Sequence, residues 1–224
     1  MNCDGVAPYY AALEFAVFGR MLENCRFHFL PELTGVRRAL VMGDGDGRFL
    51  KRLLAACPGV RVDYVDCSAA MLAKARLAAG SEQVAYHCLD ALTEELPSAD
   101  YDLVAMHFFL DCFGREQQAA MVDRVAGVAP RARWLISEFR VPRNRWLTGP
   151  GRGLIGVMYG FFGVATGLRT RGLVDHRGVV GGAGFKLAAS VEFGGGLVVS
   201  ELWAPGCRES LDTARVGACA TLGD

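Results

Sequence analysis

Apolar and polar positions along this chain follow two alternating periods. Short apolar runs that end at turn residues are followed by longer segments whose apolar residues recur at helical spacing. The pattern predicts strands over 37–42, 60–65, 83–88, 103–106 and 134–137, and helices over 48–57, 68–79 and 115–128. Strands and helices that alternate in this way are typical of an α/β protein with a doubly wound parallel sheet.

The two ends of the chain depart from this alternation. Between Tyr9 and Leu33 the apolar residues follow helical spacing, which predicts one or two amphipathic helices that end at Pro31 and form a cap within residues 1–35. Residues 184–193 and 197–204 have the pattern of two strands joined by three glycines, a hairpin that would complete the sheet. The last residues, 205–224, have little periodicity and are expected to be loose.

Residues 141–183 connect the predicted α/β core, residues 36–140, to this hairpin. They contain an uncharged run from 153 to 168 that lies between arginines and includes five glycines. The run is shorter than the roughly 20 apolar residues that a bilayer-spanning helix needs. It is therefore either a buried core helix or an apolar lid over a substrate pocket, whose flanking arginines would allow contact with a membrane surface. We expect a helical lid, and one domain in all.

Composition narrows the class of protein. The 224 residues are 52% hydrophobic, with a mean hydropathy of +0.23, which is enough apolar content for a sizeable core. Twenty-four basic residues balance 24 acidic ones without a basic block, so nucleic acid is not an expected partner. The eight cysteines form no C-x-x-C pair, and the pattern of residues at the start of the sequence leads us to expect no signal peptide. We therefore expect a cytoplasmic monomer or homodimer with reduced thiols in its core, without zinc, another metal or disulfides.

The segment between the first strand and its helix carries the first sign of a ligand. Three glycines alternate there with two aspartates: Gly43, Asp44, Gly45, Asp46 and Gly47. A loop with so few β-carbons can adopt positive φ and approach a ligand closely, with the amides of the next helix pointing at it. The dinucleotide fingerprint needs a glycine where this chain has Arg48, and no Lys-Ser or Lys-Thr pair follows. A nicotinamide or flavin dinucleotide is therefore disfavoured, and a P-loop is excluded.

A second candidate follows the second strand. Asp66 lies about 20 positions after the glycine loop, where a carboxylate accepts hydrogen bonds from both hydroxyls of a ribose. The alternative is that Asp66 caps the next helix, although Ser68 is placed to do so itself. Asp66 is therefore the strongest single candidate for ligand binding.

The glycine loop and two further stretches resemble the class I S-adenosylmethionine-dependent methyltransferases, most closely the small-molecule type of ubiquinone and menaquinone biosynthesis. The stretches are Asp66-Cys67-Ser68-Ala69-Ala70-Met71-Leu72-Ala73-Lys74-Ala75-Arg76 and Trp134-Leu135-Ile136-Ser137-Glu138-Phe139. The resemblance covers about residues 39–139. It implies a Rossmann-like sheet of seven strands, mostly parallel with a C-terminal antiparallel hairpin, and helices on both faces. It also implies S-adenosylmethionine as the cofactor.

The resemblance assigns cofactor contacts residue by residue. The glycine loop would hold the methionine part of the cofactor and Asp66 its ribose. Cys67 and Met71 would lie near the adenine. Asp90 would accept from the adenine amino group, with Ala91 or Leu92 against the ring, and an exposed loop carboxylate is the alternative for Asp90.

One departure from the family concerns Val41. This residue stands where typical members have an acidic side chain that helps to hold the amino-acid part of the cofactor. Asp44 or Asp46, inside the loop, would have to take its place.

Side chains for the methyl acceptor are expected after the fourth and fifth strands, because open α/β sheets bind ligands at the carboxyl ends of their strands. His107 and Asp111 are the candidate catalytic residues, and His107 also borders the cofactor. For a histidine followed by two phenylalanines, packing is the alternative. The candidate substrate contacts are Tyr9, Tyr10, Phe108, Glu138 and Tyr159.

Two functional hypotheses follow. The first is an enzyme that transfers the methyl group of S-adenosylmethionine in line to a small, apolar or aromatic acceptor. The second is a non-catalytic domain on the same fold that binds S-adenosylmethionine, S-adenosylhomocysteine or a partner.

Overall fold

The computed structural model describes residues 18–142 and 174–206, together with Gly149 and Gly153. One sheet of seven strands has the order β3-β2-β1-β4-β5-β7-β6. The strands are β1 (Arg38–Met42), β2 (Arg61–Asp66), β3 (Val84–Cys88), β4 (Leu103–His107), β5 (Arg133–Phe139), β6 (Phe185–Phe193) and β7 (Val198–Pro205). Strands β1 to β5 pair in parallel, and β7 pairs antiparallel with β5 and β6. The predicted doubly wound sheet with a terminal antiparallel hairpin is confirmed.

Helices cover both faces of this sheet. They are α1 (Met21–Phe27), α2 (Arg48–Ala56), α3 (Ala69–Ala79), α4 (Arg115–Val128) and α5 (His176–Gly182). Because side chains alternate along a strand, Ala39 and Val41 of β1 join the core cluster that α2 and α3 complete. Leu40 and Met42 join the cluster that α4 and α5 complete. The central strands are therefore buried on both sides, as the continuous apolar runs of the sequence indicate.

The N-terminal region differs from the prediction. Helix α1 ends at Phe27, and Pro31 lies in the first turn of a separate 3₁₀ helix, Leu30–Leu33, rather than at the end of one long helix. Proline lacks the N–H that a later helical position would need, so it is compatible with the start of a helix. Residues 1–17, with Tyr9 and Tyr10, lie outside the described residues.

The C-terminal hairpin forms as predicted, with a turn at Gly194–Gly196 between β6 and β7. Strand β7 runs to Pro205, one residue into the segment expected to be loose. Most of the predicted lid and the chain beyond residue 206 lie outside the described residues, whereas α5 forms near the end of the segment assigned to the lid. No helix of the described stretches is long and apolar enough to span a bilayer.

The cysteines of the described residues are all free thiols, but they are not all in the core. Cys25 and Cys57 are buried as expected. Cys67 and Cys88, by contrast, are exposed at the ends of β2 and β3. The prediction of core roles was therefore wrong for these two, because Cys67 lies just after β2 and Cys88 is the last residue of β3, a strand at the edge of the sheet.

The parallel strands place their carboxyl ends together, and we call this the carboxyl edge. Met42 pairs with Val65 on one side and with Met106 on the other, so the loop after β1 lies between the ends of β2 and β4. His107 in turn pairs with Ser137 of β5. The register therefore brings the predicted ligand residues of four strands to one edge of the molecule.

Candidate active site

The glycine loop connects β1 to α2 in a conformation that glycine favours. Gly43, Gly45 and Gly47 have φ of 62°, 68° and 78°. A β-carbon at residue 47 would lie 2.8 Å from Cα of Ala75, so this glycine lets α2 pack closely on α3. A β-carbon at residue 43 would overlap the ring of Phe109, which follows β4. The loop is thus held between the segments that follow β2 and β4.

The two aspartates of the loop have different surroundings. Asp44 is buried and accepts hydrogen bonds from the amides of Leu50 (3.1 Å) and Phe49 (3.4 Å) in the first turn of α2. Burial raises its pKa to about 7, while the guanidinium of Arg26 opposes this shift. Asp46 is paired with Arg48 at 2.9 Å. Asp44 therefore caps α2 from inside the protein rather than replacing the family's acidic residue in an open crevice.

Two polar residues lie at the end of β2: Ser68, which caps the next helix, and Asp66, whose side chain is half-buried. Ser68 caps α3 by accepting from the amide of Met71 (3.2 Å), as the sequence predicted. Asp66 is half-buried, and its Oδ1 accepts from the amide of Ser68 (2.8 Å). Its neighbour Cys67 is exposed, and Met71 Sδ lies 3.9 Å from the position of a β-carbon on Gly45. Asp66, Cys67 and Met71 therefore gather beside the glycine loop.

Asp90 and Ala91, the two predicted adenine contacts, follow β3. Asp90 is exposed, and its Oδ1 accepts from the amide of Leu92 (2.9 Å). Ala91 is buried, and its carbonyl accepts from Arg124 Nε (2.9 Å). The hydrogen bond to the amide of Leu92 is typical of a loop carboxylate, and the exposure of Asp90 leaves its carboxylate accessible to a ligand.

His107, at the end of β4, is enclosed by protein. It is 2% exposed, its Nδ1 lies 2.9 Å from Ser137 Oγ, and its ring packs on Phe49 with centroids 4.4 Å apart. Nε2 is buried and has no hydrogen-bond partner in the described part of the chain. Burial and then the charge of Arg26 lower its pKa well below the usual value, so the ring is neutral at pH 7.

Glu138, at the end of β5, holds the turn that follows β4. It is 1% exposed, and its carboxylate accepts from the amides of Phe109 (3.2 Å), Leu110 (2.8 Å) and Asp111 (3.2 Å). Burial, and then the nearby Asp111 carboxyl, raise its pKa well above the usual value. The side chain predicted as a substrate contact is thus committed to the backbone of this turn, and Asp111 is buried beside it.

Phe108 and Arg26 form the part of the edge between the loop and β5. Phe108 has a φ of 54°, which is a strained value for a residue with a side chain. Among the residues that the structure describes, it is the one non-glycine residue with a positive φ. Its ring lies 5.0 Å from that of Phe139, and the guanidinium carbon of Arg26 lies 5.3 Å from its centroid. Phe108 is partly exposed, so it presents an aromatic surface at the edge.

Arg26 and Tyr64 contact the glycine loop and were not among the residues predicted from the sequence. Arg26 is 2% exposed, and its Nε lies 4.0 Å from Oδ1 of Asp44. Its signal was the spacing Leu22, Cys25, Arg26 and Phe29, which places an arginine on the apolar face of α1. Tyr64 donates from its hydroxyl to the carbonyl of Gly45 (3.0 Å), but a tyrosine inside an apolar strand gives no comparable signal.

Residues 40–131 match the family model of a methyltransferase domain. Solved structures with the same fold include the pyocyanin biosynthetic protein PhzM, with a TM-score of 0.64, 20% identity and coverage of 92% of this chain and 62% of that protein. The chain has a methyltransferase fold.

Other methyltransferase structures share this fold. The N-methyltransferase NodS from Bradyrhizobium japonicum, in complex with S-adenosylhomocysteine, has a TM-score of 0.60 and 12% identity over 85% of this chain and 88% of that one. An O-methyltransferase family 2 protein from Planctomyces limnophilus, in complex with apigenin, has a TM-score of 0.62 and 21% identity over 89% and 59%. The chain spans about three fifths of PhzM and of this O-methyltransferase. No curated protein sequence matches this one.

The residues at the carboxyl edge of this fold offer groups that would fit S-adenosylmethionine, the cofactor that the resemblance implies. The glycine loop offers bare backbone, and the carboxylates of Asp66 and Asp90 reach the surface at the ends of β2 and β3. Val41, by contrast, is fully buried in β1 and offers no polar group. Tyr159, like Tyr9 and Tyr10, lies outside the described residues. No group of three metal-ligating side chains occurs within the described stretches.

Proposed function

We propose that this chain is a methyltransferase that moves the methyl group of S-adenosylmethionine to a small acceptor with apolar or aromatic character. The observation that carries the proposal is the register of β1, β2 and β4. It gathers the glycine loop, the half-buried Asp66 and the aromatic side chain of Phe108 at one edge of the sheet.

In this proposal, groups at the carboxyl edge contact the cofactor. Asp66 accepts from the hydroxyls of the ribose, and the backbone from Gly43 to Gly47 supports the methionine part. At the far side, Cys67, Met71, Asp90 and Ala91 surround the adenine, with the Asp90 carboxylate accepting from the exocyclic amine. His107 borders the cofactor at the end of β4.

When bound, S-adenosylmethionine supplies an electrophilic methyl group on its sulfonium. The chain's own contribution is to orient an acceptor in line with that methyl and to exclude water, which accounts for most of the rate in such a transfer. Phe108 and Phe139 provide the apolar wall at the end of β4 and β5. Tyr9, Tyr10 and Tyr159 complete the acceptor site in this proposal.

A base is required only where the acceptor must lose a proton. His107 is the candidate, because its neutral ring is oriented at Nδ1 by Ser137 and retains a buried Nε2 atom that can accept a proton. Asp111 is the second candidate, although it is buried beside Glu138. Glu138 has no role toward the acceptor in this proposal, because three backbone amides occupy its carboxylate.

A group of aromatic side chains at the carboxyl edge supports an acceptor of apolar or aromatic character. Phe18, Phe108 and Phe139 form a contiguous group, with ring centroids 5.3 Å apart for Phe18 and Phe139. Such rings favour a flat or apolar acceptor. The pyocyanin biosynthetic protein and the apigenin complex among the neighbours are in keeping with an aromatic small molecule.

Calorimetry and a turnover assay test the proposal. We expect the purified protein to bind both S-adenosylmethionine and S-adenosylhomocysteine, and to release S-adenosylhomocysteine with at least one member of a panel of phenols, quinones and lipids. Absence of heat with either ligand would refute the proposal.

A second candidate function, non-catalytic binding of S-adenosylmethionine or S-adenosylhomocysteine, is favoured by one observation. His107 and Glu138, two polar side chains at the acceptor half of the edge, are almost fully buried and bonded within the protein. Binding without turnover of any panel member, under conditions where a known methyltransferase turns over, would support this function instead.

A further inference from the structure

A groove lies at the amino ends of the central strands, at the opposite end of the sheet from the carboxyl edge. Leu103 of β4 pairs near Ala39 at the start of β1 and with Arg133 at the start of β5, so the segments that lead into these three strands meet there. They enclose a cavity of about 540 Å³, a volume typical of a site for a small molecule. We call this cavity the amino-end groove, and its lining is drawn from residues 34–37, 99–102 and 129–133.

Three arginines line the amino-end groove: Arg37 before β1, Arg131 before β5 and Arg133 at the start of β5. Arg131 is paired with Asp100 at 2.7 Å. Arg37 is exposed, and Arg133 is half-buried with its Nη1 donating to the carbonyl of Glu32 (3.4 Å). Neither Arg37 nor Arg133 forms an ion pair with a carboxylate in the described part of the chain. Two positive charges of the groove are therefore not balanced by a direct partner.

The two carboxylates of the groove already have partners. Asp102 Oδ2 accepts from the amides of Arg37 (2.8 Å) and Arg38 (3.0 Å), so it fixes the backbone that leads into β1. Asp100 and its partner Arg131 are both largely exposed, and an ion pair in water contributes little to stability. An anion that enters the groove can therefore compete with Asp100 for Arg131, in addition to its contacts with the other two arginines.

The chemistry of this lining suits a phosphate with an organic body. The planar fork of a guanidinium matches the oxygens of a phosphate, and three cations favour an anion with more than one charge. A phosphate monoester carries about −1.5 to −2 at pH 7, whereas a single carboxylate carries one charge. The apolar part of the lining comes from Val36, Tyr101 and Ala129, which are each nearly buried. The cavity also has room for more than the phosphate group itself.

We propose that the amino-end groove binds a small organic phosphate, with Arg37 and Arg133 as its main contacts. This site does not depend on the proposed function, because it shares no residue with the carboxyl edge. A ligand held there joins the segments before β1, β4 and β5, so it should also stabilise the folded state.

An NMR titration of the isotope-labelled chain tests this site with three probes: phenyl phosphate, inorganic phosphate and phthalate, a dianion without phosphorus. Phenyl phosphate should shift the amides of the groove segments and bind more tightly than the other two probes. Arg37→Gln and Arg133→Gln should each weaken phenyl phosphate binding about fivefold or more at low salt. Asp100→Asn, which removes the competitor for Arg131, should strengthen it about twofold.

Arg61→Gln is the matched control. Arg61 is an exposed arginine at the start of β2, at the same end of the sheet, but it does not line the groove. Its substitution should change the affinity for phenyl phosphate by less than about twofold, since salt screens the charge of an exposed residue outside the site.

Four results would overturn the proposal. Shifts confined to the glycine loop and its neighbours would place phenyl phosphate at the carboxyl edge instead. Equal affinity for phthalate would mean that the groove does not select phosphate, and equal affinity for inorganic phosphate would mean that it does not recognise an organic body. An equal loss in Arg61→Gln would mean that the anion is attracted only by the overall charge of this end. If Arg133→Gln does not fold, Arg37→Gln alone decides, because the side chain of Arg37 is exposed.

Discussion

The two halves of the carboxyl edge use their polar side chains in opposite ways. In the proposed cofactor half, at the ends of β2 and β3, Asp66 accepts from a backbone amide and is half-buried, and Asp90 accepts from a backbone amide and is exposed. In the acceptor half, at the ends of β4 and β5, His107 and Glu138 are buried and bonded to the protein itself. What the acceptor half presents to the surface is the ring of Phe108. Polar groups are therefore accessible in the proposed cofactor half and bonded into the framework of the protein in the proposed acceptor half.

Removal of the Glu138 carboxylate is expected to have the largest effect on folding. Glu138→Ala leaves the amides of Phe109, Leu110 and Asp111 without their acceptor in a buried turn. Buried donors that lose their partner are costly, so the free energy of unfolding should fall by about 3 kcal/mol. Urea denaturation measures this change.

The exposed Glu82, in the turn before β3, provides the control. Glu82→Ala should change the free energy of unfolding by less than about 0.5 kcal/mol. If Glu138→Ala were as stable as the wild type but lost acceptor binding or turnover, the contrast between the two halves would be wrong and Glu138 would be a ligand contact after all.

Substitution of Asp66 should give the opposite result, with an effect on binding and little effect on folding. Asp66→Ala removes the proposed acceptor of the two ribose hydroxyls and should weaken S-adenosylhomocysteine binding more than tenfold, on the order of 1.5–3 kcal/mol. The fold should persist, because Ser68 still caps α3. Calorimetry measures the affinity, and Asp100→Ala, an exposed carboxylate paired with Arg131, is the control. Unchanged affinity in Asp66→Ala would refute the ribose role.

The difference between the halves also explains which parts of the site the sequence could predict. Strand order and the location of the glycine loop follow from local periodicity and from glycines at fixed spacing. Whether a carboxylate after a strand faces a ligand or the backbone of a neighbouring loop depends on the packing of two segments far apart in sequence. Asp66 and Glu138 both follow a buried strand, yet only the structure separates the half-buried one from the enclosed one.

The same limit applies to Arg26 and to Pro31. An arginine in an amphipathic helix is expected to point to water, unless its spacing is checked against the apolar face. Arg26 follows that face, so its burial was open to prediction from the pattern, but its position over Phe108 was not, because this depends on how α1 meets β4. Pro31 is compatible with both the end of one helix and the start of the next, and the sequence offers no local signal that decides between them.

Asp44 combines features of both halves, since it belongs to the cofactor loop and is as enclosed as Glu138. Its pKa is about 7 in the folded protein and near 3.8 when solvated, because burial disfavours the charged form. Between these two values the folded state keeps a proton that the unfolded state has released. The contribution of Asp44 to stability is therefore complete below about pH 4 and is lost as the pH rises through about 7.

The matching prediction concerns Asp44→Asn, which cannot titrate. The quantity to follow is the difference between the free energy of unfolding of the wild type and that of this variant. This difference should decline between pH 4 and pH 7, with a slope of at most about 1.4 kcal/mol per pH unit, and level off above pH 7. The raised pKa of Glu138 and the lowered pKa of His107 affect both proteins, so they cancel in the difference. Urea denaturation at a series of pH values measures it. A difference independent of pH would mean that Asp44 is ionised at every pH tested. In that case burial would not hold a proton on Asp44 in the folded protein.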